Sequence, residues 1–165
     1  MKKIRVDVKK VISSLIRGQQ GKEVDFSNLS ETKIRKLVKF PEDSWEELFN
    51  DEKTLWYKTE LDPKTNFINK IFDSGKGFMT HIGLSHDELL KNYKNGKMSK
   101  EFILRIDEIK KKLNKNPRIV VLTKDFKEYS IVDGGRRALA FRLKNKKIPV
   151  YIGFRTKFKS LKHLN

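Results

Sequence analysis

A glycine pair near the end of the chain, Gly134-Gly135, constrains the fold more than any other feature of the sequence. It separates a β-branched run at residues 129–132 from a helical pattern that continues to about residue 145. Two similar runs flank this unit: residues 118–122 precede it across a short polar segment, and residues 148–154 follow the helix. The predicted order is therefore strand, turn, strand, helix, strand. This order indicates an α/β (α+β) fold with a small mixed sheet and flanking helices.

The residues at this junction, Asp133-Gly134-Gly135-Arg136-Arg137, have the chemistry of an anion-binding turn. Glycine lets the backbone bend sharply and approach a ligand closely, and the start of a helix presents N–H groups that lack intrahelical partners. Arginine adds forked, permanently charged donors that match phosphate oxygens. The pattern predicts phosphate binding by Gly134, Gly135, Arg136 and Arg137. The alternative is a tight turn that leads into a solvated first turn of helix.

The stretch around this turn, YSIVDGGRRALAFRLKNKKIPVYIGF, resembles the ParB/sulfiredoxin-like superfamily. At the equivalent strand-to-helix turn, ParB proteins have Gly-Glu-Arg-Arg, sulfiredoxins Gly-Cys-His-Arg and free serine kinases Asp-Gly-His-His-Arg. The resemblance covers about residues 78–155 and includes an amphipathic helix at 100–113 followed by the segment NPRIVV at 116–121. Gly135 stands where the relatives have Glu, Cys or His. Because the chain has no cysteine, sulfiredoxin chemistry is excluded.

The resemblance implies a nucleotide-binding protein that uses ATP, CTP or ADP with Mg²⁺, as a kinase or NTPase acting on or with nucleic acid. By similarity, Gly134, Gly135, Arg136 and Arg137 would hold the phosphates. Asp133, Arg136 and Arg137 would be the catalytic residues, and Asp133 would also be the Mg²⁺ ligand.

Three further residues would complete such a pocket. Ser99 and Lys100 begin the preceding helix, and His81 lies in the segment that resembles the family strand lining the pocket. Two other functions stay open. The first is a DNA nuclease of the same superfamily, and the second is a non-catalytic DNA-binding module that uses the turn to contact backbone phosphates.

Charge points to a polyanionic partner. The chain has 38 Lys and Arg against 21 Asp and Glu, a net charge of +17, and no acidic residue follows Asp133. We expect nucleic acid, with DNA favoured over RNA, to contact the basic C-terminal end. The residues predicted to do so are Arg142, Lys144, Lys146, Lys147, Lys157 and Lys159. The alternative is an AT-rich genome that encodes lysine at many solvated positions.

Other classes of protein are disfavoured by what the sequence lacks. Without cysteine there is no disulfide, thiolate zinc site or iron–sulfur cluster, and no stretch approaches the roughly 20 apolar residues of a membrane span. We therefore expect a cytoplasmic protein with no membrane partner, and the resemblance suggests a prokaryotic, plasmid or phage origin. The oligomeric state stays open.

The remaining chain is predicted to divide into a helical N-terminal extension, residues 1–75, and a ParB/sulfiredoxin-like domain, residues 76–165. Within the extension, apolar spacing predicts helices at 7–17, 30–40, 43–50 and 66–72, a strand at 55–61 and a loop at 73–77. Ser85 and Glu88 form a capping-box pattern, Ser99 is suited to cap the next helix, and Asn114 is suited to end it in a left-handed conformation.

Overall fold

A mixed sheet with helices on both faces organises the protein. The computed structural model describes residues 2–21, 29–37, 54–68, 71–75 and 78–154. Its strands are β1 (Ile4–Arg5), β2 (Leu55–Leu61), β3 (Ile71–Gly75), β4 (Phe78–Leu84), β5 (Ile119–Thr123), β6 (Ser130–Asp133) and β7 (Ile148–Phe154). Five of them form one sheet in the order β1-β2-β7-β5-β6, whereas β3 and β4 form a separate hairpin. Because β5 and β7 are parallel and the other pairs in the sheet antiparallel, the predicted mixed α/β architecture is confirmed.

Helices cover both faces of the sheet. They are α1 (Val8–Gln20), α2 (Glu31–Leu37), α3 (His86–Lys94), α4 (Lys100–Lys111) and α5 (Gly135–Leu143). A short 3-10 helix, Leu113–Lys115, leads towards β5. One face packs on α1 and α2, and the other on α3, α4 and α5. Within the described residues, no helix is long and apolar enough to cross a membrane.

Strand β5 lies at the centre of this arrangement and is buried on both faces. Val120 and Leu122 belong to the cluster that contains α1, whereas Ile119 and Val121 belong to the cluster beneath α4 and α5. A strand that is covered twice needs apolar side chains at consecutive positions. The unbroken apolar run of β5 therefore reflects its position between two helical layers.

The N-terminal part of the chain contributes strands as well as helices. Strand β2 occupies the predicted residues and pairs along its whole length with β7, from Leu55 opposite Phe154 to Leu61 opposite Ile148. Strands β1 and β2 therefore share one sheet with β5, β6 and β7 from the C-terminal part of the chain.

The predicted helix at 66–72 is wrong. Phe67 forms a β-bridge with Tyr129, the N–H of Ile68 donates to the Tyr129 carbonyl, and β3 begins at Ile71. A short apolar run without caps does not distinguish helix from strand, and here the backbone finds its partner on a distant segment. The predicted loop at 73–77 is wrong over residues 73–75, because these belong to β3. Residues 76–77 lie outside the described residues. The same holds for residues 38–40, at the end of the second predicted helix, and for the predicted helix at 43–50.

Helix boundaries follow the predicted caps in some places and not in others. Ser85 accepts from the N–H of Glu88 while Glu88 accepts from the N–H of Ser85, which confirms the capping box, and Ser99 caps α4. Helix α1 continues past Gly18 to Gln20 and is capped by Gly21, which has a left-handed backbone with φ of 69°. Asn114 is not left-handed but lies in the 3-10 helix that continues from α4.

Candidate functional site

The Asp133 to Arg137 turn connects β6 directly to α5. Gly134 is the N-cap of α5 and has a left-handed backbone, with φ of 97° and ψ of 26°. A Cβ atom at this position would lie 2.9 Å from Nη2 of Arg137, so both conformation and space require glycine. No side chain caps the helix start, which leaves the cap without the hydroxyl or carboxylate that usually serves it. Gly135 is already helical, so the conformational requirement falls on Gly134.

Arg137, predicted to be a phosphate ligand, forms a buried ion pair. Its Nη2 donates to Oδ2 of Asp133, and its Nη1 donates to the carbonyls of Pro117 at 2.8 Å and Arg118 at 3.3 Å. The side chains of Arg137 and Asp133 are only 9% and 19% exposed. Arg137 therefore ties the turn to the segment that enters β5, and much of its donor capacity is used inside the protein.

Asp133 does not fit its predicted role as a Mg²⁺ ligand. Burial raises the pKa of its carboxyl group, and Arg137 and the N–H of Gly134 oppose that rise. A carboxylate in contact with a guanidinium is already compensated, and a cation beside it would be repelled by Arg137. Within the part of the chain that the structure describes, no group of three or more His, Cys, Asp or Glu side chains could hold a metal ion.

A cavity of about 680 Å³ lies beside the turn. Its walls come from the end of α1, the end of α4, the 115–117 segment and the turn itself. Its basic lining residues are Arg17, Lys112, Lys115, Arg136 and Arg137. The only acidic residue among the described lining residues is Asp133, which Arg137 neutralises. The cavity therefore has an excess of positive charge beside an uncapped helix start, which is a favourable environment for an anion.

Arg17 and Arg136, the other two arginines of the cavity, also contact neighbouring segments. Nη2 of Arg17, at the end of α1, donates to the Lys115 carbonyl at 3.2 Å, which connects two walls of the cavity. The guanidinium carbon of Arg136 lies 5.9 Å from the centre of the Phe102 ring. Both side chains also contribute charge to the lining. The bond from Arg17 thus joins two segments of the cavity wall that are 98 residues apart in sequence.

The other residues predicted for the pocket lie elsewhere. Ser99 caps α4, and neither Ser99 nor Lys100 is among the described residues that line the cavity. Instead α4 contributes Ile109, near its opposite end. His81 lies in β4, with its backbone opposite Asp73, in the hairpin that is separate from the main sheet. The His81 side chain is outside the described part of the chain.

The predicted nucleic-acid-binding residues are in several environments. Lys144, Lys146 and Lys147 are exposed, and the latter two line a second cavity of about 590 Å³. Arg142 is directed inwards: Nε donates to the Pro63 carbonyl and Nη2 to Asp87, and the side chain is 9% exposed. Lys157 and Lys159 lie outside the described residues.

Sequence reasoning missed the cations that complete the cavity. Arg17, Lys112 and Lys115 resemble ordinary solvated residues in sequence, and only the tertiary fold brings them to the turn. A signal existed at Gly18, because an isolated glycine within a helical pattern often marks a close approach. Gly18 lines the same cavity and contacts the buried ion pair.

The comparisons with known proteins add no relative. No family model, curated protein or solved structure matches the chain. The likeness to the ParB/sulfiredoxin-like superfamily therefore stays a prediction from the motif residues and the order of the elements around them.

Proposed function

We propose that the protein binds a nucleotide through its phosphates in the cavity beside the Asp133 to Arg137 turn. The observation that carries this proposal is the convergence of cations from three separate segments on the start of α5. They are Arg17 from α1, Lys112 and Lys115 from the region after α4, and Arg136 from α5 itself. Gly134 lines the same cavity and, because it has no side chain, leaves the N–H groups at the start of α5 uncovered.

The expected affinity follows from the number of contacts. A hydrogen bond to a charged group contributes about 1.5 to 3 kcal/mol, and a helix start contributes about 0.3 to 2 kcal/mol to a bound anion. Two such bonds and the helix start together give about 3 to 8 kcal/mol. This range corresponds to dissociation constants between about 4 mM and 1 µM. A free nucleotide at cellular concentrations is therefore a reasonable ligand.

The nature of the ligand is supported by the likeness to the ParB/sulfiredoxin-like superfamily, in which this turn holds nucleotide phosphates. ATP, CTP and ADP are the candidates. The cations in the cavity would neutralise the phosphates, and Gly134 and Gly135 would let the backbone approach them closely. Binding of phosphates by these cations does not require Asp133 to act as a metal ligand.

Binding is better supported than phosphoryl transfer or strand cleavage. Both reactions need a group that activates the attacking nucleophile, or a metal held by carboxylates. Among the described residues that line the cavity, Asp133 is the one carboxylate, and it is paired with Arg137. The kinase, NTPase and nuclease alternatives thus lack a base at this site in the described part of the chain.

Isothermal titration calorimetry with ATP, CTP and ADP tests the proposal. We expect Arg136→Gln and Lys112→Gln each to weaken binding about tenfold, because each removes one charge-assisted contact. Lys94→Gln is the matched control, since Lys94 is an exposed lysine on α3 that does not line the cavity. The proposal is refuted if none of the three nucleotides binds at millimolar concentration, or if the cavity variants bind as the control does.

A further inference from the structure

The second cavity adjoins the one beside the turn and has the same sign of charge. Both are lined by Arg17, Asn116 and Pro117, so the two cavities are neighbours along α1, and we call the pair the basic trough. The second cavity adds four cations to it: Lys10, Arg118, Lys146 and Lys147. Glu60 is the one acidic residue among its described lining residues. The trough therefore extends the positive charge of the turn well beyond a single phosphate site.

The cations of the second cavity differ in how firmly the fold holds them. Lys10, Lys146 and Lys147 are exposed, and within the described part of the chain their ammonium groups form no ion pair. Arg118 is held in place: its Nη1 donates to the Thr59 carbonyl at 2.9 Å, and its guanidinium carbon lies 5.9 Å from the centre of the Tyr151 ring. The positive charges of this cavity outnumber the one carboxylate of Glu60, which gives it a local positive potential that attracts a polyanion.

The length of the trough favours a ligand with several phosphates in series. It follows α1 from Lys10 to Gly21, a distance of about 16 Å at the usual rise of a helix. A lone phosphate would leave most of the cations without a partner. Its shape favours a single strand over a duplex, because a duplex is read by elements that protrude into its grooves, whereas a charged groove can follow one backbone.

We propose that the basic trough binds single-stranded nucleic acid. One phosphate occupies the cavity beside the turn, and the following backbone phosphates pass between Lys10 on one wall and Lys146 and Lys147 on the other. The placement of a phosphate in the cavity beside the turn rests on the proposed nucleotide function. The second cavity is a separate phosphate site, formed by α1 and the segment before β7.

Fluorescence anisotropy with a labelled single-stranded oligonucleotide, measured over a series of salt concentrations, tests the trough. We expect the double variant Lys146→Gln/Lys147→Gln to lose about tenfold or more in affinity. The slope of log affinity against log salt should flatten by about 1.4, since each contact to a single strand contributes about 0.7. Lys10→Gln, on the opposite wall, should weaken binding in the same direction.

The matched control is Lys91→Gln/Lys94→Gln, which removes the same charge from exposed positions on α3 outside the trough. We expect this control variant to change the affinity for the oligonucleotide less than twofold. In a competition experiment, we expect the unlabelled duplex of the same sequence to compete more weakly than the unlabelled single strand. The proposal that the trough binds a single strand is overturned if the control variant loses as much affinity as the trough variant, or if the duplex competes better than the single strand.

Calorimetry with ATP on the same proteins separates the two proposals. We expect Lys146→Gln/Lys147→Gln to bind ATP as the unmodified protein does. If ATP binds and the oligonucleotide does not, the proposal of single-strand binding in the trough is wrong and the proposed nucleotide site stands. If the oligonucleotide binds with the expected lysine dependence and no nucleotide binds, the nucleotide function is wrong and the trough stands.

Discussion

Gly18 of α1 lies directly against the guanidinium of Arg137. A Cβ atom on Gly18 would be 2.6 Å from Nη2 of Arg137 and 2.9 Å from Oδ2 of Asp133. The guanidinium has little room to withdraw, because it is bonded to Asp133 and to the Pro117 and Arg118 carbonyls. The missing side chain at Gly18 thus lets α1 close over the ion pair at the turn.

Gly18→Ala should therefore destabilise the protein even though alanine favours a helix. The substitution gains about 1 kcal/mol of helix propensity but forces a displacement that costs about 1 to 3 kcal/mol. We expect a net loss of about 1 kcal/mol in the free energy of unfolding, measured by urea denaturation. Lys9→Ala, at an exposed position of the same helix, is the control and should be nearly neutral. A more stable Gly18→Ala variant would show that Arg137 moves at no cost.

The two glycines of the turn should respond differently to alanine. Gly134 has a left-handed backbone, which costs an ordinary residue about 1 to 2 kcal/mol, and its Cβ would also contact the Arg137 guanidinium. Gly135 is the first residue of α5 and has no such requirement. We expect Gly134→Ala to lose about 2 kcal/mol or more of stability and Gly135→Ala to be neutral or stabilising. Equal losses in thermal denaturation would contradict this assignment.

Arg137 should contribute to the stability of the folded protein as well as to the binding of any ligand. Removing one partner of a buried ion pair leaves the other charge uncompensated and costs about 3 to 5 kcal/mol. We therefore expect Arg137→Ala to unfold at much lower urea concentration than the unmodified protein. Arg137→Ala/Asp133→Asn should recover part of the loss, because the orphaned carboxylate is gone. No recovery in this double-mutant cycle would mean that the carbonyl contacts of Arg137 dominate.

The parts of the fold that depend on local pattern could be predicted from sequence. β7 occupies the predicted residues because its β-branched run is bounded by polar residues, and the capping box at Ser85 is a purely local arrangement. Residues 66–72 could not be predicted in the same way. Phe67 pairs with Tyr129 and Ile71 pairs with Leu84 in β4, and no local pattern records either pairing.

The candidate site divides along the same line. The turn at Gly134 was predictable because two consecutive glycines between a strand and a helix indicate a special backbone conformation. The ion pair of Arg137 with Asp133 was not predictable, because an arginine next to glycines has the same sequence pattern whether it contacts a ligand or a buried carboxylate. The convergence of Arg17 and Lys115 depends on how α1 packs over the sheet, which sequence spacing does not encode.

A buried histidine should make stability depend on pH. His86 is the first residue of α3, is 2% exposed, and packs its ring 4.9 Å from the centre of the Phe67 ring. Within the described part of the chain, neither ring nitrogen has a hydrogen-bond partner. Burial lowers the pKa of His86 from 6.5 to about 4, Arg142 reinforces this, and Asp87 opposes it. The folded protein therefore holds His86 neutral at pH values above about 4.

The sign of the effect follows from proton uptake in the two states. Between pH 6.5 and about 4 the unfolded chain binds a proton at His86 that the folded protein excludes, so stability falls as the pH is lowered through this window and levels off below it. The full loss is about 3 kcal/mol. His86→Phe, which keeps an aromatic ring against Phe67, should remove this part of the pH dependence in urea unfolding measured between neutral and acidic pH. If the variant and the unmodified protein lose stability in parallel over that range, His86 is not the group that titrates.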